Sequence, residues 1–92
     1  MADQNGFTPL HEAAFKGHKD VVHLLLDRGA EINMADQNGF TPLHEAAFKG
    51  HTDVVHVLLD GGAEPNMANQ FGMTPLSYAL QNGHMNTANI LS

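Results

Sequence analysis

The sequence predicts an all-α solenoid of about three stacked helix–loop–helix units, joined by turns that resemble β-hairpins. Residues 34–66 repeat residues 1–33 with four differences, so that 29 of 33 positions are identical, and residues 67–92 form a third, more divergent copy. A fixed period of this length is typical of solenoids, in which each unit packs only against its neighbours. We therefore expect a single domain over residues 1–92, with repeats at 1–33, 34–66 and 67–92.

Each unit is predicted to begin with a turn and a short helix. In the second copy, residues 36–39 read Asp-Gln-Asn-Gly, and asparagine and glycine are typical of turns with positive φ. Thr41 followed by Pro42 predicts a helix start, because threonine caps free N–H groups and proline fits the first helical position. Apolar residues at helical spacing within 43–47 give one narrow stripe, and Gly50 predicts a left-handed helix end.

A second helix is predicted to follow at once. His51 and Asp53 stand at its start, where an acidic residue suits the helix dipole. Apolar residues within 54–59 cover an arc of roughly 200°, and the glycine pair at 61–62 ends the helix. We therefore expect the second helix to be buried on most sides and the first helix on one.

These residues resemble the ankyrin repeat over the whole chain. The sequence Thr-Pro-Leu-His-Glu-Ala stands at 8–13 and again at 41–46, and Thr-Pro-Leu returns at 74–76. The resemblance implies a non-catalytic module that binds a protein partner through its concave face, formed by the turn tips and the exposed side of the short helices. Carried over position by position, the implied binding residues are Gln4, Asn5, Phe7, Phe15, Lys16, Gln37, Asn38, Phe40, Phe48, Lys49, Gln70, Phe71, Met73 and Gln81.

Aromatic residues of this set also stand out from the helical pattern alone. Phe15 and Phe48 lie roughly 100–140° around the short helix from its apolar stripe, so we expect them on its exposed side. Phe7 and Phe40 precede the capping threonine, where they either contact a partner or pack locally, against the helix start or, for Phe7, against Phe15. The period would align two ladders, Phe7–Phe40–Met73 and Phe15–Phe48, and contiguous exposed aromatic residues commonly mark interaction sites.

The histidines also fall into ladders, and these argue against a metal site. Residues 33 positions apart lie one repeat apart, on the order of 10 Å, whereas zinc requires ligand nitrogens at about 2.1 Å. As the resemblance implies, we expect His11 and His44 to form hydrogen bonds within their repeats, and we expect His18, His51 and His84 to brace the loop between the helices. Neither a zinc-protease motif, a calcium loop nor a nucleotide-binding loop is present, so we predict no metal, no cofactor and no enzyme.

Charged residues predict solvated faces rather than a charged binding site. The formal net charge is −6, from ten acidic and four basic residues, which excludes the footprint of nucleic-acid and membrane-surface binders and gives a mild preference for basic partners. Glu12 and Lys16, like Glu45 and Lys49, have the i,i+4 spacing of exposed ion pairs, although both glutamates are alternatively partner contacts. The absence of a membrane-span pattern and of a signal pattern predicts an intracellular, cytoplasmic protein, and the absence of cysteine excludes disulfides and thiolate metal sites.

Two alternatives to a natural binding module stay open at this point. The near-identity of the first two copies would suit an engineered or minimal ankyrin scaffold without a natural partner. The first repeat also lacks a polar outer face, which would suit a fragment of a longer array that self-associates through this uncapped repeat. The third repeat carries Leu80 in place of Ala14 and Ala47, where leucine would crowd a following repeat, as suits a terminal cap.

Overall fold

The chain folds into three helix pairs that stack side by side. A computed structural model describes residues 2–92, and Met1, the first residue of the predicted first repeat, lies outside the described residues. Within residues 2–92, six helices confirm the predicted all-α fold: α1 (Pro9–Lys16), α2 (Lys19–Asp27), α3 (Pro42–Lys49), α4 (Thr52–Asp60), α5 (Pro75–Gln81) and α6 (Met85–Leu91). The first helices α1, α3 and α5 form one layer, and the second helices α2, α4 and α6 form the other. Within residues 2–92, none of these helices has both the length and the apolar character of a membrane span.

Each first helix begins with a reciprocal cap, which confirms the predicted helix starts. Thr41 is the N-cap of α3, and Pro42 is the first residue of the helix. The Thr41 hydroxyl accepts a hydrogen bond from the His44 backbone N–H at 3.3 Å. The His44 side chain in turn accepts one from the Thr41 backbone N–H at 3.1 Å. Gly50 ends the helix at a φ of 73°, the left-handed conformation that its sequence predicted.

The turns between repeats form hairpin-like hydrogen bonds without forming strands in residues 2–92. The Asp36 carboxylate accepts bonds from the backbone N–H groups of Asn38 at 2.9 Å and Phe40 at 3.0 Å. The Asp36 N–H donates to the Phe40 carbonyl at 2.9 Å, and the Gln37 N–H donates to the Asn5 carbonyl of the preceding turn at 2.8 Å. These bonds close the turn on itself and join it to the turn of the preceding repeat.

The distribution of burial differs from the expectation that second helices are the more buried. In the middle repeat, α3 buries six of its eight residues and α4 buries four of its nine. The reason is that α3 is enclosed by α1 and α5, and its alanines, Ala46 and Ala47, let these helices approach closely. The second helices keep an outer face, with His56 and Asp60, in solvent.

The close packing of repeats predicts that Gly50→Ala destabilises the fold more than Gly83→Ala. Both glycines have a φ near 74°, which a residue with a side chain adopts at a cost of about 1–2 kcal/mol. A Cβ at Gly50 would also lie 2.6 Å from the His84 ring, whereas a Cβ at Gly83 would meet nothing within 4 Å. We expect a loss of about 3 kcal/mol for Gly50→Ala and about half that for Gly83→Ala in urea unfolding followed by circular dichroism. Equal losses would contradict this interface contact.

Candidate protein-binding surface

Four aromatic side chains form one row along the turns and first helices of the second and third repeats. The Tyr78 ring lies 5.5 Å from the Phe40 ring and 5.5 Å from the Phe48 ring, stacked on both. The Phe71 ring meets Phe40 edge-on at 6.3 Å. We call this row, Phe71–Phe40–Tyr78–Phe48, the aromatic surface.

The aromatic surface is open to solvent at its two ends. Phe71 is 62% exposed and Phe48 is 37% exposed, whereas Phe40 and Tyr78 are half-buried beneath them. The Tyr78 hydroxyl accepts a hydrogen bond from the Asn69 side-chain amide at 2.9 Å, so its polar atom is already satisfied. The arrangement offers a partner a contiguous apolar patch that the fold itself holds in place.

Tyr78 was not among the residues that the sequence predicted for this surface. It occupies the position of Glu12 and Glu45 in the earlier copies, which the sequence placed on a solvated face. The available signal was that a glutamate is replaced by the only tyrosine of the chain. This position of α5 faces the predicted ladder, so the replacement of glutamate by tyrosine could have added Tyr78 to the predicted surface.

The rings are connected along a different line from the predicted ladders. Within residues 2–92, no pair of stacked rings joins Phe7 to Phe40 or Phe15 to Phe48. The Phe7 ring instead lies 5.0 Å from the His11 ring, at the start of its own helix. Phe7 therefore packs locally, which was the alternative left open for it, and the local pairing of Phe7 with Phe15 is absent from the described residues.

Lys16 and Lys49, which occupy equivalent positions, have different partners. The Lys16 ammonium pairs with the Glu12 carboxylate at 3.1 Å, as predicted. The predicted Glu45–Lys49 pair is wrong: the Lys49 ammonium lies 5.1 Å from the centre of the Phe15 ring. Within residues 2–92, Lys49 forms no ion pair, so its charge faces outward beside an aromatic ring.

Glu45 lies on a buried face rather than on the predicted solvated one. Its residue is 9% exposed, because α3 is enclosed by neighbouring helices on both sides. Burial, and to a lesser extent the nearby Asp36 carboxylate, raises the pKa of Glu45 from 4.5 to about 7. Glu45 is consequently part of the packing and is removed from the surface that a partner would contact.

The other predicted binding residues lie mostly at the rim of the turns and helices. The Gln70 amide donates to the Asn38 side-chain oxygen at 3.1 Å, which links two turn tips. Met73 is half-buried, and its carbonyl accepts a hydrogen bond from His44 at 3.0 Å. The remaining predicted positions are exposed side chains: Gln4, Asn5, Gln37 and Gln81.

His11 and His44 fix the start of one helix to the turn of the next repeat. Besides accepting the Thr41 N–H at Nδ1, the His44 ring donates from Nε2 to the Met73 carbonyl. The His11 ring does the same to the Phe40 carbonyl at 2.7 Å. The prediction that His11 and His44 bond within their repeats is confirmed for the hydrogen bond at Nδ1. It is wrong for the hydrogen bond from Nε2, which reaches the next repeat. Burial lowers the pKa of both imidazoles, which keeps them neutral and keeps Nδ1 free to accept.

The second histidine ladder also bonds between repeats. His51 Nε2 donates to the Phe15 carbonyl at 3.0 Å, and His84 Nε2 donates to the Phe48 carbonyl at 3.1 Å. Each ring therefore braces the end of a first helix from the following repeat. Within residues 2–92, no three His, Asp or Glu side chains are placed to hold a metal ion.

Comparisons with known proteins agree with this geometry. Ankyrin repeat-containing protein P1E11.10 of Schizosaccharomyces pombe is 48% identical over 33 residues, which are 36% of this chain and 16% of that protein. Ankyrin repeat and SAM domain-containing protein 1A of Homo sapiens is 56% identical over 32 residues, which are 35% of this chain and 3% of that protein. The matched segments thus span less than a fifth of the length of either curated relative.

The whole chain is matched at the level of the family. A family model described as ankyrin repeats (3 copies) matches residues 1–69 and 33–92. Ankyrin repeats are typically protein–protein interaction modules and typically not catalytic. The match agrees with three stacked helix pairs, each opened by a Thr-Pro cap, and the chain belongs to the ankyrin repeat family.

Proposed function

We propose that this chain is a non-catalytic protein-binding module that acts as one domain over residues 1–92 and binds its partner through the aromatic surface and the adjoining turn tips. The observation that supports this proposal most directly is the row of neighbouring rings from Phe71 to Phe48, whose two ends are exposed to solvent. Aromatic side chains are common interface anchors, because they bury a large area at a low cost in side-chain entropy. The proposed setting is the cytoplasm.

Fixed side-chain positions support binding with little rearrangement. The Asn69 side chain accepts the N–H groups of Phe71 and Met73, both at 3.0 Å, and donates to Tyr78. The Phe48 carbonyl is held by the side chains of His84 and Asn82. A surface that is ordered before binding loses less conformational entropy on association.

The chemistry beside the row favours a partner that presents an apolar side chain next to a carboxylate. Phe48 offers the apolar contact, and Lys49 follows it directly with a charge that no acidic side chain in residues 2–92 neutralises. Glu12 and Lys16 at the equivalent first-repeat position already neutralise each other. We therefore place the acidic group of the partner near Lys49, despite the net negative charge of the chain.

Loss of the two exposed rings tests the proposal. We expect the variant Phe48→Ala/Phe71→Ala to capture specific proteins from a cell lysate at least tenfold less than the wild type does. The reason is that interface anchors of this kind contribute about 2 kcal/mol or more to the binding free energy. Immobilised wild-type and variant chains are compared by quantitative mass spectrometry. Circular dichroism checks that the variant is folded.

A matched control uses exposed residues on the second helices. His23→Ala/His56→Ala changes two exposed side chains on the opposite layer and should leave the captured proteins unchanged. Equal capture by the phenylalanine variant would overturn binding through the aromatic surface. A folded wild-type chain that captures no protein would favour the alternative of a scaffold without a natural partner.

A further inference from the structure

Asparagine followed directly by glycine stands at three places in the chain. The pair is found at 5–6 and at 38–39, in the turns of the first two repeats, and again at 82–83, where α5 ends. The third turn carries Phe71 before its glycine instead. In such a pair the glycine nitrogen can attack the asparagine side chain, because no Cβ shields that nitrogen. The three pairs are therefore candidate sites of deamidation.

Deamidation of such a pair requires only water and hydroxide. Hydroxide takes the proton of the glycine N–H, and the nitrogen attacks Cγ of the preceding asparagine. The bond from Cγ to the amide nitrogen then breaks, and this nitrogen takes up a proton from water and leaves as ammonia. Water opens the resulting cyclic imide at either carbonyl, which gives aspartate or, with one more methylene in the backbone, isoaspartate. Both products carry a carboxylate in place of the amide.

The first two turns have the same backbone hydrogen bonds around their asparagine. The N–H groups of Asn5 and Asn38 donate to the aspartate two residues earlier, both at 2.9 Å. Their carbonyls accept from the next turn at 2.8 and 3.0 Å, and the glycine N–H groups donate back into their own turns at 3.0 and 2.9 Å. Each turn must open at the glycine before the nitrogen reacts, and exposed turns open at a low cost in free energy.

The two asparagines differ in their side chains. Asn38 Oδ1 accepts a hydrogen bond from the Gln70 side-chain amide at 3.1 Å, whereas within residues 2–92 the Asn5 side chain forms none. Gln37 stands in the next turn as the counterpart of Gln70, so this difference does not depend on where the chain begins. The attack requires the reacting carbon and nitrogen to approach within about 3–3.5 Å. A side chain that Gln70 holds reaches this geometry less often.

Asn82 is held in another way. Its side-chain amide donates to the Phe48 carbonyl of the preceding repeat at 2.9 Å, and Asn82 is the C-cap of α5, so its reaction requires the helix end to open. We propose that Asn5 and Asn38 are sites of spontaneous deamidation, and that the Gln70 side chain protects Asn38.

Protection of Asn38 also protects the aromatic surface. Gly39 packs so closely on the next turn that a Cβ there would lie 2.9 Å from Asn69 Cα. The Asn69 side chain in turn accepts the Phe71 N–H and donates to the Tyr78 hydroxyl. Isoaspartate at position 38 would move Gly39 against Asn69, so we expect this form to bind less partner. That loss of binding rests on the proposed function, whereas the deamidation does not.

The rates of conversion in the isolated chain test the proposal. The folded chain is kept at mildly alkaline pH, and digested samples are followed over time by mass spectrometry, with isoaspartyl methyltransferase to count isoaspartate. We expect Asn5 to convert about threefold to tenfold faster than Asn38, the factor that one neutral hydrogen bond gives, and Asn82 to convert most slowly. Gln70→Ala should raise the rate at Asn38 to that at Asn5. Gln37→Ala, the matched control, should change neither rate.

Four outcomes would overturn parts of the proposal. If neither turn converts in the folded chain while both convert in urea, the folded turns are not sites of deamidation. Equal rates at Asn5 and Asn38 in the wild type would contradict protection by Gln70. An unchanged rate at Asn38 in Gln70→Ala would contradict it as well. A rise at Asn5, Asn38 and Asn82 together in this variant would mean that the fold opens, and would contradict protection by a direct bond.

The structural consequence has its own measurement. Chains with isoaspartate at position 38 are separated by ion exchange, and their near-ultraviolet circular dichroism is compared with that of the unmodified chain. Tyr78 is the only tyrosine in a chain without tryptophan, so its signal should change. An unchanged signal would contradict the shift at Asn69. None of these measurements needs a partner, so a chain that deamidates as expected but captures no protein would contradict the proposed function alone.

Discussion

His44→Ala is expected to lower the free energy of unfolding by about 3–5 kcal/mol. The His44 ring is fully buried, accepts from the Thr41 N–H and donates to the Met73 carbonyl. Alanine would leave both groups without a partner, at a cost of about 1–3 kcal/mol each, and would add a cavity. Urea unfolding near neutral pH, followed by circular dichroism, gives the change in the free energy of unfolding.

The third repeat supplies a matched control for this change. Ser77 stands at the position of His44, and its hydroxyl accepts the Thr74 N–H at 3.3 Å while its own N–H donates to the Thr74 hydroxyl at 3.2 Å. His44→Ser should therefore restore the helix cap, while it still loses the bond to the next repeat and leaves a cavity in place of the ring. We expect His44→Ser to recover about 1 kcal/mol relative to His44→Ala. A loss below about 1 kcal/mol for His44→Ala would contradict the hydrogen-bond network.

Glu45→Gln is expected to stabilise the fold by about 3 kcal/mol at alkaline pH and to have little effect in acid. The pKa of Glu45 is about 7 in the folded chain and 4.5 as an ordinary carboxyl. The folded state thus binds this proton more tightly, so stability falls as the pH rises from 4.5 through about 7. Above about pH 7, this difference in pKa lowers the free energy of unfolding of the wild type by about 3 kcal/mol. Glutamine stays neutral, so the Glu45→Gln variant does not lose this stability.

The measurement compares thermal unfolding of wild type and Glu45→Gln at about pH 4.5 and about pH 8.5, where a difference of about 3 kcal/mol shifts the midpoint by more than about 10 °C. The histidines titrate in the opposite sense: the lowered pKa of His44 means that stability falls as the pH drops below 6.5. Both proteins keep these histidines, so their contribution cancels. Glu12→Gln, at the exposed equivalent position, should change stability by less than about 0.5 kcal/mol at either pH. A pH-independent effect of Glu45→Gln would contradict the burial of an ionisable carboxyl.

The local features of the fold could be predicted from the sequence, because neighbouring residues determine them. Thr41 with Pro42 marks a helix start, and Gly50 marks its end, whatever surrounds them. Glu45 shows where such reasoning stops, since Glu12 has the same local sequence and yet is exposed. Its environment is set by how many repeats flank it, which only the stacked structure supplies.

The candidate surface was predictable in its composition and only partly in its arrangement. Phe40, Phe48 and Phe71 were selected by their positions on the repeat. The row that joins them depends on Tyr78, which reaches two rings of the preceding repeat, and distances between repeats cannot be calculated from a period. The same limit explains the histidines, for which the sequence indicated hydrogen bonds but not partners one repeat away.

The histidine bonds between repeats have a consequence for how the chain folds. A single repeat would lack the carbonyl that receives the Nε2 proton of His11, because that carbonyl belongs to Phe40 in the next turn. We therefore expect the smallest cooperative folding unit to be two neighbouring repeats, onto which the remaining repeat then packs. We expect unfolding to begin at the terminal repeats, so that the amide protons of the middle repeat exchange last.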